Sequence, residues 1–256
     1  MFGMHLSDWR LPRGVSRSLW EFAQDPAIPR QEAEHLAGSS LPELDRRVVE
    51  RWFTRPGDLV DLGCGGGRLL TLFAERGFSV VGVDLSIESL RMARGQAAAQ
   101  GVAVAVVRAN LCDGRCLPAA AFDYALMMFG TLGMIAGAEN RAAALADARR
   151  MLKPGGSLAL HVHNIWRHAF NPAGRRWLIR DRARWLCGAR NAGDTYADYR
   201  GIPNMHHHPF TWGELRQLLG RNGFAIREIV CVGHEGRGWL AELCAEGWLV
   251  RAEAVE

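Results

Sequence analysis

The stretch Leu59-Val60-Asp61-Leu62-Gly63-Cys64-Gly65-Gly66-Gly67-Arg68-Leu69 constrains this chain more than any other: an apolar strand runs straight into glycines and then into a helix. Glycines at such a turn permit positive φ and let a ligand lie against bare backbone. The dinucleotide fingerprint G-x-G-x-x-G is not met, because its sixth position, counted from Gly63, is Arg68. That fingerprint also has no use for an acid two residues before the first glycine, where Asp61 stands. A carboxylate at a strand end suits a ligand with an ammonium group, which it can pair. Asp84 ends the next apolar run, Val80-Val81-Gly82-Val83-Asp84-Leu85-Ser86, about 20 residues after the glycines, where an acid can hold both hydroxyls of a ribose. Ser86 is placed to cap the following helix by itself.

Around these segments strand and helix patterns alternate. Strands are expected at 58–62, 79–83, 102–107, 122–129, 157–162, 224–232 and 248–255, with helices at 68–76, 86–100, 140–152 and 211–222 between them. Continuous apolar strands separated by helices argue for a parallel sheet covered on both faces. The expected fold class is α/β: a doubly wound, seven-stranded sheet, six strands parallel and the last antiparallel. A further helix is expected from Ser40, with Glu43 at capping-box spacing, up to the Pro56-Gly57 stop. The 256 residues, 48% of them hydrophobic, fit a single domain 1–256 with an N-terminal extension 1–40 and an irregular insertion 165–210.

The net charge of +4 does not by itself point to a nucleic-acid partner, and Lys153 is the only lysine, so nearly all the basic charge is arginine. The six cysteines form no C-x-x-C pair, which makes buried free thiols the expectation, with no metal site. Residues 1–13 lack the apolar run of a signal peptide, and no stretch is long enough to span a bilayer. A cytoplasmic protein with no membrane partner is expected.

The two acidic strand ends and the glycine turn resemble the class I S-adenosylmethionine-dependent methyltransferases, which have a Rossmann-like fold. The resemblance continues through Asn110-Leu111, Leu117-Pro118 before Phe122-Asp123, and Met151-Leu152-Lys153-Pro154-Gly155-Gly156, covering 41–164 well and 211–255 more loosely. It implies S-adenosylmethionine as cofactor. By this resemblance Asp61 and Gly63 stand at its methionine end and Asp84 at the ribose. Asn110 and the backbone of Leu111 meet the adenine, Met128 lines the cofactor, and Gly65 and Leu85 complete the contacting set. Many relatives carry Asp where this chain has Asn110; the amide oxygen can still accept a hydrogen bond from the adenine amino group.

The resemblance also implies that the insertion after the fifth strand, 165–210, is a lid over the substrate. It holds Arg167, Arg175, Arg176, Arg180, Arg182, Arg184 and Arg190 among Trp166, Trp177 and Trp185, a composition that suits an anionic or aromatic acceptor, or else a solvated helix. Arg167, Tyr199, His206 and His208 are candidate substrate contacts. His163, at a strand end, and His207 are candidate general bases, since histidine titrates near neutrality. The expected reaction is displacement of the sulfonium methyl by an oxygen or nitrogen of a small-molecule acceptor. Two alternatives stand beside it. One is a tRNA or other RNA methyltransferase, since His207-His208-Pro209-Phe210-Thr211 before Glu214-Leu215 loosely resembles the tRNA wobble-uridine enzymes. The other is a cofactor-binding protein without turnover.

Overall fold

The computed structural model describes residues 7, 10–37, 40–189, 191–233 and 244–255; Trp9 and Arg190 lie outside them. Where the sequence offers no clear period, the chain forms α1 (Arg17–Gln24) and α2 (Ile28–Ala37). The Ser16 side chain accepts from the Leu19 N–H and starts α1, whose Leu19, Phe22 and Ala23 share one face at helical spacing. Helix α3 (Leu41–Trp52) follows, but the expected capping box does not form. Ser40 already has helical backbone angles (φ −77°, ψ −16°) instead of the extended ones a capping side chain needs, and Glu43 pairs with Arg46.

The alternating core then runs β1 (Asp58–Leu62), α4 (Arg68–Glu75), β2 (Ser79–Asp84), α5 (Ile87–Ala99), β3 (Ala105–Arg108), β4 (Phe122–Met127), the single turn α6 (Thr131–Met134), α7 (Ala138–Met151) and β5 (Leu152–His163). Ser86 caps α5, accepting from the Ser89 N–H. Strand β5 begins earlier than expected: Leu152 pairs with Phe122, and Pro154-Gly155-Gly156 is absorbed as an irregularity before Ser157 pairs with Tyr124. A short 3-10 segment (Ile165–Phe170), α8 (Pro172–Leu186) and the antiparallel hairpin β6 (Thr195–Tyr199) and β7 (Ile202–His207) fill the insertion. Helix α9 (Trp212–Arg221), β8 (Phe224–Val232) and β9 (Gly247–Ala254) complete the chain.

The seven-stranded sheet has the order β3-β2-β1-β4-β5-β9-β8. Neighbours from β3 to β5 are parallel, and β9 is antiparallel to both β5 and β8, so the last strand alone is reversed. Alternate residues of β1 serve opposite faces. Val60 and Leu62 join the cluster beneath α7 and α9, while Leu59 joins the one with Val49 of α3, Phe53 just after it, and Leu70 and Phe73 of α4. Each such Leu or Phe, fully buried, contributes about 1.5–3 kcal/mol. Asp61, next on the Leu59 face, breaks the apolar pattern. The chain leaves β1 toward β2 on one side and reaches β4 on the other, and this reversal opens a crevice at the carboxyl ends of β1 and β4.

Of the cysteines, only Cys64 and Cys112 are buried; Cys116, Cys231 and Cys244 are partly buried, Cys187 is exposed, and none of the six forms a disulfide. Among the described residues no His/Cys/Asp/Glu cluster could hold a metal ion, and no helix is long and apolar enough to cross a membrane.

Candidate active site

A cavity of about 570 Å³ occupies the crevice, a size typical of small-ligand sites. Its floor includes all eight residues the sequence points to for the cofactor: Asp61, Gly63 and Gly65 after β1, Asp84 and Leu85 after β2, Asn110 and Leu111 after β3, and Met128 after β4. Its roof is unforeseen. Val15, Leu19, Phe22, Ile28, Glu32 and Leu36, from the N-terminal segment and helices α1 and α2, close over the floor.

Each floor residue is held for a reason. Asp84 anchors the glycine turn: one carboxylate oxygen accepts the Gly65 N–H at 2.9 Å and the other the Ser86 N–H at 2.8 Å. Burial pushes its carboxyl pKa up, against the pull of those amides. A Cβ built on Gly65 meets nothing within 4 Å, so the turn presents bare backbone to open space. At Gly63 (φ +83°) a Cβ would lie 2.6 Å from Thr131 Cγ2, so this glycine is required by the chain itself. Asn110 does more than the sequence suggests: its amide nitrogen donates to the Arg13 carbonyl at 2.9 Å, pinning the segment that enters α1, while its oxygen accepts the Cys112 N–H at 3.2 Å. A carboxylate there could not donate. Phe129, which also lines the cavity, holds a left-handed backbone (φ +56°), strain of the kind that concentrates at functional sites.

Asp61 is 3% exposed and lines the cavity, yet no hydrogen bond reaches its carboxylate among the described residues. Burial lifts its pKa to about 7, only partly offset by Arg68. Arg68, the residue that breaks the dinucleotide fingerprint, spends its guanidinium on α3, donating to the Pro42 carbonyl and to buried Asp45 at 3.0 and 3.2 Å. A buried carboxylate facing a cavity without a donor is a receptor for a cation. A cationic ligand selects the ionised form, so below pH 7 binding must displace a proton; affinity should rise with pH toward 7, by up to about tenfold per unit, then level off. Calorimetry in buffers of different ionisation heat would show proton release at pH 6 and little at pH 8. A flat profile would mean that Asp61 does not meet the cation.

The candidate catalytic and substrate residues stand elsewhere: His163, His207, Arg167, Tyr199, His206 and His208 are not among the cavity lining. His163 Nδ1 lies 3.2 Å from His207 Nε2, behind the β4 turn, where a Cβ on Gly130 would be 3.0 Å from the His163 ring. Burial holds His163 down at about 4 and His207 well below the usual imidazole value, so both are neutral and weakly basic. His208 is 3% exposed, with both ring nitrogens bound to carboxylates, Asp194 and Glu214, each at 2.8 Å. Burial alone would lower its pKa, but those two bonds outweigh it and raise it, so the two carboxylates hold His208 as part of the structure. His206, 2% exposed, lies 3.3 Å from Asp194. Arg167 is exposed. Tyr199 acts at one remove, donating at 2.8 Å to Glu32, which Arg200 also binds.

The insertion 165–210 therefore supports the roof instead of forming it. Phe22 and Ile28 pack with Tyr199, Ile202 and Met205, and the Ser18 hydroxyl accepts the His206 N–H. The amphipathic spacing of Leu19, Phe22 and Ala23 was the signal in the sequence that could have revealed this roof.

Comparison with known proteins bears on the fold and the class of chemistry. A family profile described as a methyltransferase domain matches residues 59–156. Over 188 residues the chain is 29% identical to a ubiquinone biosynthesis O-methyltransferase of Parvibaculum lavamentivorans, an alignment covering 70% of this chain and 67% of the relative. It is 33% identical over 160 residues to a malonyl-[acyl-carrier protein] O-methyltransferase of Pseudescherichia vulneris, covering 59% and 55% of the two chains. The chain thus spans between about half and two thirds of the length of these curated relatives. Among solved structures, a SAM-dependent methyltransferase from Methanosarcina mazei superposes with a TM-score of 0.67 at 22% identity, covering 81% of this chain and 97% of that one. With the acidic strand ends, the glycine turn and the strand order in place, residues 59–156 match a methyltransferase domain, and the chain has the fold of the class I S-adenosylmethionine-dependent methyltransferases.

Proposed function

We propose that the protein transfers the methyl group of S-adenosylmethionine to an oxygen or nitrogen of a small, largely apolar acceptor lodged under α1 and α2. The observation that carries this reading is the roof: Val15, Leu19, Phe22, Ile28 and Leu36 present hydrocarbon to the cavity, and the charge of Glu32 is neutralised by Arg200. Asp61 would hold the cofactor's ammonium group, Asp84 its ribose hydroxyls, and Asn110 and Leu111 the adenine edge. Bound there, the cofactor supplies an electrophilic sulfonium methyl. The chain's own part is to align an acceptor that is already nucleophilic and to keep water out, for which in-line positioning is enough and no base is required. The relatives' printed names, an O-methyltransferase of ubiquinone biosynthesis and one acting on malonyl-[acyl-carrier protein], favour oxygen as the acceptor atom.

An anionic acceptor is not favoured, because Arg175, Arg176 and Arg180 lie outside the cavity lining. The test is labelled methyl transfer to a fractionated small-metabolite pool and, separately, to total tRNA. Label should enter apolar small molecules, and the variant R175S/R176S/R180S should keep both cofactor affinity and turnover within about twofold, as distant sites do. Label in tRNA alone would replace this reading with RNA methylation, and no transfer to either pool would leave cofactor binding without turnover.

A further inference from the structure

Isolated apolar side chains on a protein surface are ordinary; a concentration of them is not. Four of the large hydrophobic side chains that stand exposed among the described residues fall between 170 and 186: Phe170 at 65%, Ile179 at 72%, Trp185 at 60% and Leu186 at 77%. Helix α8 carries three of them. Its other face is spoken for: Gly174, Leu178 and Asp181 are buried, and Asp181 accepts the Gly193 N–H at 2.7 Å, fixing the helix against the loop that leads into β6. The outward orientation of Ile179 and Leu186, two turns apart on one stripe, is thus imposed by packing.

Arginines flank this stripe. Arg176, Arg180 and Arg184 follow at four-residue steps on the neighbouring exposed stripe, and Arg175 lies one turn before Ile179. None of these four has a carboxylate partner among the described residues: Arg175 donates to the Ala169 carbonyl and Arg184 to the Asn191 side chain. The helix thus presents aliphatic side chains and uncompensated cations to solvent together, while Trp185, on the stripe of buried Leu178, emerges at its C-terminal end.

We propose that α8, with Phe170 just before it, is a peripheral docking surface for a bilayer rich in anionic lipid. Charge complementarity and side-chain chemistry carry the choice of occupant. Arginine forks pair with headgroup phosphates, and Ile179 and Leu186 gain only by leaving water for acyl chains. A nucleic-acid strand would use the arginines but would gain nothing from two exposed aliphatic side chains. Such docking lies in the membrane plane and needs no spanning helix. It is also independent of the acceptor's identity, since α8 lines no part of the cavity.

The experiment is co-sedimentation of the full chain with sonicated vesicles at about 0.1 M salt, where screening still permits surface attraction over ~10 Å. The protein should pellet with equimolar phosphatidylglycerol and phosphatidylcholine but not with phosphatidylcholine alone. I179S/L186S should lower the partition coefficient at least tenfold through lost burial, and R176S/R180S/R184S should lower it comparably through lost charge. Both variants replace exposed residues, and unchanged cofactor affinity would show that they are folded. Failure of the parent chain to pellet with anionic vesicles would overturn the proposal. So would full binding by I179S/L186S, which would reveal a simple polyanion site. Displacement of the vesicles by sub-stoichiometric total tRNA would reassign the surface to nucleic acid.

Discussion

Gly65→Val should abolish measurable cofactor binding while costing the fold little more than its backbone strain. The left-handed backbone at Gly65 (φ +51°) disfavours a β-carbon by about 1–2 kcal/mol. The new side chain meets no atom of the protein, since a Cβ there has nothing within 4 Å. What it fills is the cavity, so the expected loss in affinity is at least a hundredfold with a melting temperature only a few degrees lower. Gly63→Val is the instructive contrast. Its Cβ would collide with Thr131, whose hydroxyl is bound to the Met128 carbonyl at 2.8 Å, so that variant should lose stability and cofactor together. Calorimetry beside thermal melts separates the two. Cofactor binding by Gly65→Val within threefold of the parent would place the ligand away from the glycine turn.

Asp84→Ala should lower cofactor affinity at least a hundredfold through two losses that add. On the proposed binding mode the ribose hydroxyls would lose their charged acceptor, and the glycine turn loses the carboxylate that fixes the Gly65 and Ser86 amides. Hydrogen bonds to a charged group are worth about 1.5–3 kcal/mol each, so losing two spans roughly two to four orders of magnitude in binding. Asp84→Asn should fall between, because its amide oxygen can satisfy one backbone donor while its nitrogen repels the other. Parental affinity in a folded Asp84→Ala would remove Asp84 from the site.

The floor of the cavity was legible because it is written locally. Asp61, Gly63 and Gly65 lie within five residues of one another, and Asp84 follows from the next strand end, so strand–turn–helix pattern and side-chain chemistry coincide. The histidines were misleading for the same reason. The run His206-His207-His208 looks like a reactive cluster in sequence, but what decides its chemistry comes from outside the run. Asp194 and Glu214 claim His208, and His163 meets His207 from the end of β5. Burial then removes the basicity that would make His163 or His207 a base.

By itself the sequence determined the doubly wound sheet, its single reversed strand, and the acidic strand ends around a glycine turn. Apolar periodicity and backbone permission are properties of neighbouring residues and survive without a tertiary context. Only the tertiary structure decided which segment roofs the cavity. That choice rests on Asn110 holding the Arg13 carbonyl and on Glu32 meeting Tyr199 and Arg200, contacts between residues roughly a hundred or more positions apart with no local signature. It also decided that the arginine-rich segment faces outward, because the inward face of α8 was already committed to Leu178 and Asp181. A helix can bury one side only, and composition does not say which.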